Sequence, residues 1–190
     1  MLKSPRPQKG LTLIELMITL AIAGVLIATA TPSMSVFVQN NRAITRVNEL
    51  QTSLSIARSE AITRNNYVAV CASADGSSCS GTWQDGWIVF VDHDALGTVS
   101  DDDEVLRVNG AITGGNTLSF TQTRIIYKSS GIAKKDSSGV FMLCDARGTD
   151  EALGVVVGLS GRPKIAEASD FENLVIDGEK FNLECAGEVS

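Results

Sequence analysis

Apolar and polar residues fall into three regimes along this chain of 190 residues. Residues 1–10 are polar and basic. Residues 11–31 then carry one charged side chain, Glu15, in 21 positions. As a helix rising about 1.5 Å per residue, that run reaches roughly 32 Å, enough to span a bilayer. Pro32 ends the run but sits within a helical pattern, so a bend is expected there rather than a full stop. Beyond it, Ile44, Val47, Leu50, Leu54, Ala57 and Ala61 recur at spacings of three and four, an amphipathic stripe. Arg42, Arg46, Glu49, Arg58, Glu60 and Arg64 occupy the other faces, with Glu60 and Arg64 placed as a favourable i,i+4 pair. Asn65-Asn66 marks the stop. The pattern predicts one helix of roughly 50 residues, with two separate helices as the alternative.

From Tyr67 onward the period changes. Short β-like runs alternate with Gly, Asp and Ser, predicting strands near 67–72, 86–92, 104–108, 117–120, 124–128, 140–144, 153–159, 162–166 and 173–176. One long helix followed by many strands gives an α+β class, with the amphipathic stripe packed on a sheet. The chain divides into 1–10, an apolar helix at 11–31, its amphipathic continuation at 32–66, and a single β-rich head at 67–190.

Charge sharpens this division. The whole chain holds 16 basic and 22 acidic residues, net −6. Lys3, Arg6 and Lys9 precede the apolar run with no acid among them, whereas residues 67–190 hold 9 basic and 19 acidic residues, net −10. That balance argues against a generally basic nucleic-acid-binding surface and against disorder throughout, but leaves room for a local basic patch. A basic start, an apolar run and a polar remainder admit a secretory signal, a membrane anchor, or both in sequence. Ala28-Thr29-Ala30 has the small-x-small form of a signal cleavage site, but the run exceeds the usual h-region of roughly 7–15 residues and contains Glu15. The anchor reading is favoured, with the N-terminus cytoplasmic and the head outside. A carboxylate inside such a helix costs on the order of 3 kcal/mol, so Glu15 calls for a partner. Cys71, Cys79, Cys144 and Cys185 form an even set in an exported head, consistent with disulfides in one of three connectivities. Pairing Cys71 with Cys79 across a short Gly/Ser-rich loop, and Cys144 with Cys185, is preferred. The absence of a C-x-x-C pair and a single histidine disfavour zinc.

The stretch Lys9-Gly10-Leu11-Thr12-Leu13-Ile14-Glu15-Leu16-Met17 resembles the processing and methylation site of type IV prepilins and type II secretion pseudopilins. Pro32 falls where many pilins carry a helix-kinking proline, and Leu11 stands where Phe is the commoner first mature residue. The resemblance implies a pilin-like fold and a cleaved leader at 1–10. A prepilin peptidase would cut between Gly10 and Leu11 and methylate the new Leu11 amine. The subunit would wait in the inner membrane, head in the periplasm, before an assembly platform draws it into a pilus or pseudopilus. In a filament core the Glu15 carboxylate could meet the amine of a neighbouring Leu11, a pairing that would penalise wrong registers because an unpaired buried charge is expensive.

The head resembles the GspH/FimT branch of that family through Trp83-Gln84-Asp85-Gly86-Trp87-Ile88-Val89-Phe90-Val91-Asp92, the following acidic loop with Glu104-Val105-Leu106-Arg107, and Arg58-Ser59-Glu60-Ala61 on the helix. The resemblance implies a minor pilin near a filament tip that takes part in starting assembly, with other minor and major pilins as partners. Two alternatives accompany it: a tip pilin that binds double-stranded DNA for uptake in natural transformation, and a minor pseudopilin of a type II secretion system. In the DNA-binding members a Gly-Arg-x-Arg element contributes; here Gly161 and Arg162 match and Lys164 replaces the second Arg, keeping phosphate attraction but losing the planar fork. Arg124, Lys128, Lys134 and Lys135 could extend that patch. Trp83 and Trp87 are read as packing residues.

The acidic loop from Asp92 to Glu104 has the outline of a calcium loop but offers Leu96 at the fifth position and Asp103 at the twelfth, so a flexible solvated turn is expected. No metal or cofactor is expected. Nor is enzymatic activity: His93, the one histidine, sits in that loop, and no nucleophile elbow accompanies it.

Overall fold

Between Leu13 and Arg64 the sequence has only Pro32 to break a helix, and the structure keeps the helix through it. The computed structural model describes residues 12–171, 174–181 and 185, leaving aside the side chains of 29–33. In it α1 spans Leu13–Arg64. Asn65 closes the helix at φ 52°, its amide donating to the Ile62 carbonyl at 3.4 Å while the Asn66 amide reaches Ala61 at 3.2 Å. This is a Schellman closure, with asparagine accepting the left-handed conformation that usually falls to glycine. The chain forms two units, residues 1–40 and 41–190.

In the first unit, α1 exposes large apolar side chains on every side, among them Leu13, Ile14, Leu16, Met17, Ile18, Leu20, Ile22, Met34 and Val36. Among the described residues no helix is long and apolar enough to cross a membrane. The apolar run begins at Leu11 and takes in 29–31, so it lies partly outside the described residues and side chains.

In the second unit, the rest of α1 packs on two sheets. Strands β1 (Val68–Ala72), β2 (Trp87–Val91), β3 (Glu104–Asn109) and β5 (Arg124–Tyr127) make the first, in the order β3-β2-β1-β5. Strands β4 (Thr117–Phe120), β6 (Gly139–Cys144), β7 (Leu153–Val157) and β8 (Pro163–Glu167) make the second, in the order β4-β6-β7-β8. All pairings are antiparallel. A short helix α2 (Ala168–Phe171) leads to a hairpin of β9 (Leu174–Ile176) and β10 (Glu179–Phe181).

The core forms where the helix stripe meets one face of both sheets. Val47, Leu50, Leu54, Ala57 and Ala61 bury against Val68, Val70, Trp87, Val89, Ile125, Tyr127, Phe141, Leu143, Val155 and Val157. Burial of each large aliphatic side chain contributes about 1.5–3 kcal/mol. Ile44 departs from the expected stripe: it is 51% exposed, and Ala43 is buried instead. At about 100° per residue Ala43 falls on the centre line of the stripe, whereas Ile44 lies about 100° away. Trp83 packs edge-on to Phe141 at 4.7 Å and Phe120 at 5.5 Å, and Trp87 is fully buried, so both tryptophans serve the core.

The outer faces of the sheets are covered as well. Ala69, Cys71, Ile88, Phe90 and Ile126 pack with Tyr67, with Val105 of β3, and with Cys79 and Val99, so the loops after β1 and β2 roof the first sheet. The β9–β10 hairpin and Phe171 cover Val140, Met142, Cys144, Ala152 and Ala166 on the second. Burial on both faces explains why β1, β2 and β6 read as continuous apolar runs rather than alternating ones. The β10 strand was not among the expected strands. Its Glu-Lys-Phe sequence lacks a strand pattern; the hairpin is set by Asp177 and Gly178, both at positive φ (52° and 90°), the I′ requirement.

Candidate functional site

Glu15 lies in the first turn of α1, where its backbone amide donates to the Thr12 hydroxyl at 3.3 Å. Its side chain is exposed beside exposed Leu13, Ile14, Leu16 and Met17. A carboxylate on an apolar helix is chemically suited to pairing with a cation in an apolar surrounding. The expected processing position, Gly10–Leu11, lies outside the described residues.

The turn from β7 to β8 presents Arg162 and Lys164, both exposed. Its form comes from Gly161, at φ 70°, whose amide donates to the Gly158 carbonyl at 2.9 Å. A Cβ at Gly161 would collide with the Gly131 carbonyl oxygen, so only glycine lets the turn rest on the 128–133 loop. The Ala133 amide donates to the Leu159 carbonyl at 3.1 Å, and the Arg58 guanidinium on α1 donates to the Gly131 carbonyl at 2.9 Å. The junction thus places the turn bearing Arg162 against the loop that begins at exposed Lys128.

Arg124 and Lys134 do not extend this patch as expected. Lys134 donates to the Ala95 carbonyl at 2.8 Å and Arg124 to the Leu96 carbonyl at 2.5 Å, so both brace the acidic loop. Carbonyls of that loop, which no sequence pattern reveals, draw these cations away.

The acidic loop is exposed at Asp94, Asp101 and Asp102, as its composition suggests, but two of its carboxylates turn inward. Asp92 is fully buried and accepts hydrogen bonds from the Leu96 amide at 3.1 Å and the Gly97 amide at 3.0 Å. The Asp103 side chain is also buried and accepts from the His93 amide at 3.0 Å, the Ser100 amide at 2.8 Å and the Ser100 hydroxyl at 2.9 Å. The physical reason is that a short carboxylate is tolerated inside when backbone donors surround it. Asp92, Asp94 and Asp103 each bring an oxygen within 4.8 Å of the others, the one such group of potential metal ligands among the described residues. Here those oxygens hold the loop closed through its own amides.

Burial, and then the hydrogen-bonded Asp94 carboxylate, push the Asp92 carboxyl up to about 6, against the opposing Gly97 amide. A folded carboxyl titrating above its unfolded value gains stability as pH falls from above 6 towards 4. Asp75, Asp85 and Asp145 are held below their ordinary range by hydrogen bonds, chiefly from Ser78, Thr82 and Arg147 respectively, and their contribution is lost as pH falls below about 4. Thermal stability is therefore expected to rise from pH 7.5 to pH 5 and fall below pH 4. Asp92→Asn should flatten the rise while leaving the acid fall, as measured by melting temperature against pH. An unchanged rise in the variant would assign it to another group.

His93 is half exposed, with Nδ1 3.4 Å from Asp103. The shortest ion pair among the described residues joins Arg147 to Asp145 at 2.5 Å, with Glu151 at 3.3 Å on the same guanidinium. Sequence reasoning missed it because an i,i+2 pair in a loop has no periodic signature. The cysteines pair as Cys71–Cys79 and Cys144–Cys185.

Comparison with known proteins places these features in a family. The profile described as Type II transport protein GspH matches residues 46–161, more than half the chain, ending just before Arg162. The prokaryotic N-terminal methylation motif matches residues 5–31, the segment containing Gly10, Leu11 and Glu15. The pilin-like protein PilA1 of Thermus thermophilus is 36% identical over 89 residues, which take in 46% of this chain and 51% of that protein. The chain thus spans about half the length of the curated relative it matches. The type IV minor pilin FimU of Pseudomonas aeruginosa is similar in fold in two crystal forms. One gives a TM-score of 0.56 at 20% identity, covering 70% of this chain and 94% of the other. The second gives 0.52 at 20% identity, covering 66% and 93%. A helix packed on antiparallel sheets is common to them. With a methylation motif, a matching head and the same fold, the chain belongs to the GspH family of pilin-like proteins, in its GspH/FimT branch of minor pilins and pseudopilins.

Proposed function

We propose that this chain is a minor type IV pilin, cleaved between Gly10 and Leu11, methylated at Leu11, held by residues 11–31 in the inner membrane, and assembled at or near the pilus tip to help start the filament. The observation that carries the reading is the first part of α1, apolar on every side and exposed, with one carboxylate near its start. A helix apolar all round belongs inside an apolar environment: lipid before assembly, neighbouring pilin helices after it. Glu15 then pairs with the Leu11 amine of an adjacent subunit, other minor and major pilins being the partners. The role is structural, with the head making tip contacts and the prepilin peptidase and assembly platform acting on the helix.

Mass spectrometry of the membrane-extracted protein should find an N-terminus at methylated Leu11; an N-terminus at Thr31 would return the segment to a secretory signal. Glu15→Ala should leave the protein in the membrane and deplete it about tenfold or more from sheared filaments, the loss expected when a buried charge pair is removed. Incorporation at the wild-type level would refute the pairing. Loss of protein secretion with no filament defect would place the subunit in a type II secretion pseudopilus instead.

A second reading rests on the exposed Arg162 and Lys164 beside the 128–133 loop: capture of double-stranded DNA at the tip for uptake. Removing both cations in Arg162→Ala/Lys164→Ala should reduce the slope of log affinity against log salt by about 2, one for each phosphate neutralised. DNA binding by the detergent-solubilised full chain measures it. No binding at low salt sinks this reading and leaves the assembly role standing.

A further inference from the structure

The two disulfides sit in opposite surroundings. Cys144 and Cys185 are both buried, within a cluster of Val140, Met142, Ala152, Ala166, Phe171 and Ile176. Cys71 is buried on β1, but Cys79 is partly exposed and both line a cleft of about 210 Å³. Apart from Ala72, its remaining walls are glycine or polar, with Thr98, Thr123 and Arg124 among them. The Gly97 carbonyl oxygen lies 3.5 Å from the Cys79 sulfur. Arg124 is the direct cross-strand partner of Cys71, so the two side chains share a face. Its guanidinium is held on this side of the sheet by the Leu96 carbonyl.

We propose that the Cys71–Cys79 disulfide is a thiol–disulfide exchange site, addressed through this cleft by an incoming thiolate. The chemistry needs three things: an accessible sulfur, room for the attacking group, and stabilisation of the sulfur that leaves. The cleft supplies all three. An external thiolate attacks the Cys79 Sγ, forming a mixed disulfide as the Cys71–Cys79 bond breaks. The electron pair departs on the Cys71 Sγ, whose thiolate the Arg124 cation favours before it takes a proton from solvent. A second external thiolate attacks the outer sulfur of the mixed disulfide, releasing an external disulfide and the Cys79 thiolate. Two thiols are thereby oxidised and one protein disulfide reduced. The site differs from the helix and from the Arg162 turn, and the inference stands whether or not either reading of them holds.

The consequence lies in the roof over the first sheet. Cys79 packs on the layer of Ala69, Ile88, Phe90 and Ile126, and its link to Cys71 ties the loop after β1 to that layer. Reduction unties the loop and leaves this apolar layer less well covered. The enclosed Cys144–Cys185 bond stays closed under the same conditions.

The test uses full-length protein in detergent micelles, treated separately with reduced glutathione and with a reduced C-x-x-C protein, then alkylated and mapped by peptide mass spectrometry. Cys71 and Cys79 should become modified about tenfold or more faster than Cys144 and Cys185. Glutathione should leave its mixed disulfide on Cys79 rather than Cys71. The C-x-x-C protein should leave both thiols free if a protein dithiol is the source, and should fail to react if the cleft admits small thiols alone; either pattern keeps the site and identifies the source. Arg124→Gln should slow release about threefold, the effect of a one-unit rise in the leaving-thiol pKa, with Arg124→Lys near the wild-type rate. Equal or faster reduction of Cys144–Cys185 would overturn the proposal, as would no reaction with either thiol.

Discussion

Replacing Gly86 with alanine is expected to cost about 3–5 kcal/mol, a large share of the stability of a domain this size. Gly86 follows a 3₁₀ turn at Trp83–Asp85 and enters β2 at φ 121°, a conformation that L side chains rarely adopt. A Cβ there would collide with the Asn109 carbonyl oxygen and stand 3.1 Å from the Gly110 carbonyl carbon and 3.2 Å from the Ser73 carbonyl oxygen. All three are backbone atoms, fixed where β1, β2 and β3 come together, so no side chain can swing aside. Strain and overpacking each add roughly 1–3 kcal/mol. Gly110→Ala is the control, since a Cβ there meets nothing within 4 Å. Denaturant unfolding should separate the two variants by most of the predicted cost; equal midpoints would mean the β2 entry relaxes freely.

The second large effect is expected from Cys144→Ala/Cys185→Ala. The bond joins residues 41 apart in sequence, and closing a loop of that length is worth about 4 kcal/mol on the chain-entropy account, against about 2.5 kcal/mol for the separation of 8 between Cys71 and Cys79. Native packing adds to the difference, because Cys144 and Cys185 are buried with the β9–β10 hairpin. Without the bond the hairpin is held by its apolar contacts and by links such as the Asp177 carboxylate, which accepts from the Leu159 amide at 2.9 Å. Unfolding midpoints without reductant should fall further for this pair than for Cys71→Ala/Cys79→Ala. Limited proteolysis should find the first new cuts near β9 and β10. The reverse order of midpoints would show that loop length is not what governs these bonds.

Much of the architecture was legible in local pattern. The helix stripe was legible because burial of one face imposes a 3.6-residue period, and Val47, Leu50, Leu54, Ala57 and Ala61 keep it. Strands β1, β2 and β6 were legible because burial on both faces leaves unbroken apolar runs. The methylation motif was legible because it is contiguous. Where the pattern misled, a non-local partner was responsible. Ile44 is exposed because the sheets meet α1 on the line through Ala43. Lys134 and Arg124 left the expected basic patch for the carbonyls of Ala95 and Leu96. Asp92 became a core residue because the amides of Leu96 and Gly97 turn inward to meet it.

The sequence by itself determined the methylation motif, the apolar helix with its lone Glu15, the acidic head and most of its strands, since each is written in neighbouring residues or a short period. Only the tertiary structure decided that the acidic loop roofs an apolar layer, that Gly161 seats Arg162 against the 128–133 loop, and that one disulfide lines a cleft while the other is enclosed. Those facts depend on which residues far apart in the chain come together, and that is settled by packing two sheets on one helix face rather than by any local preference.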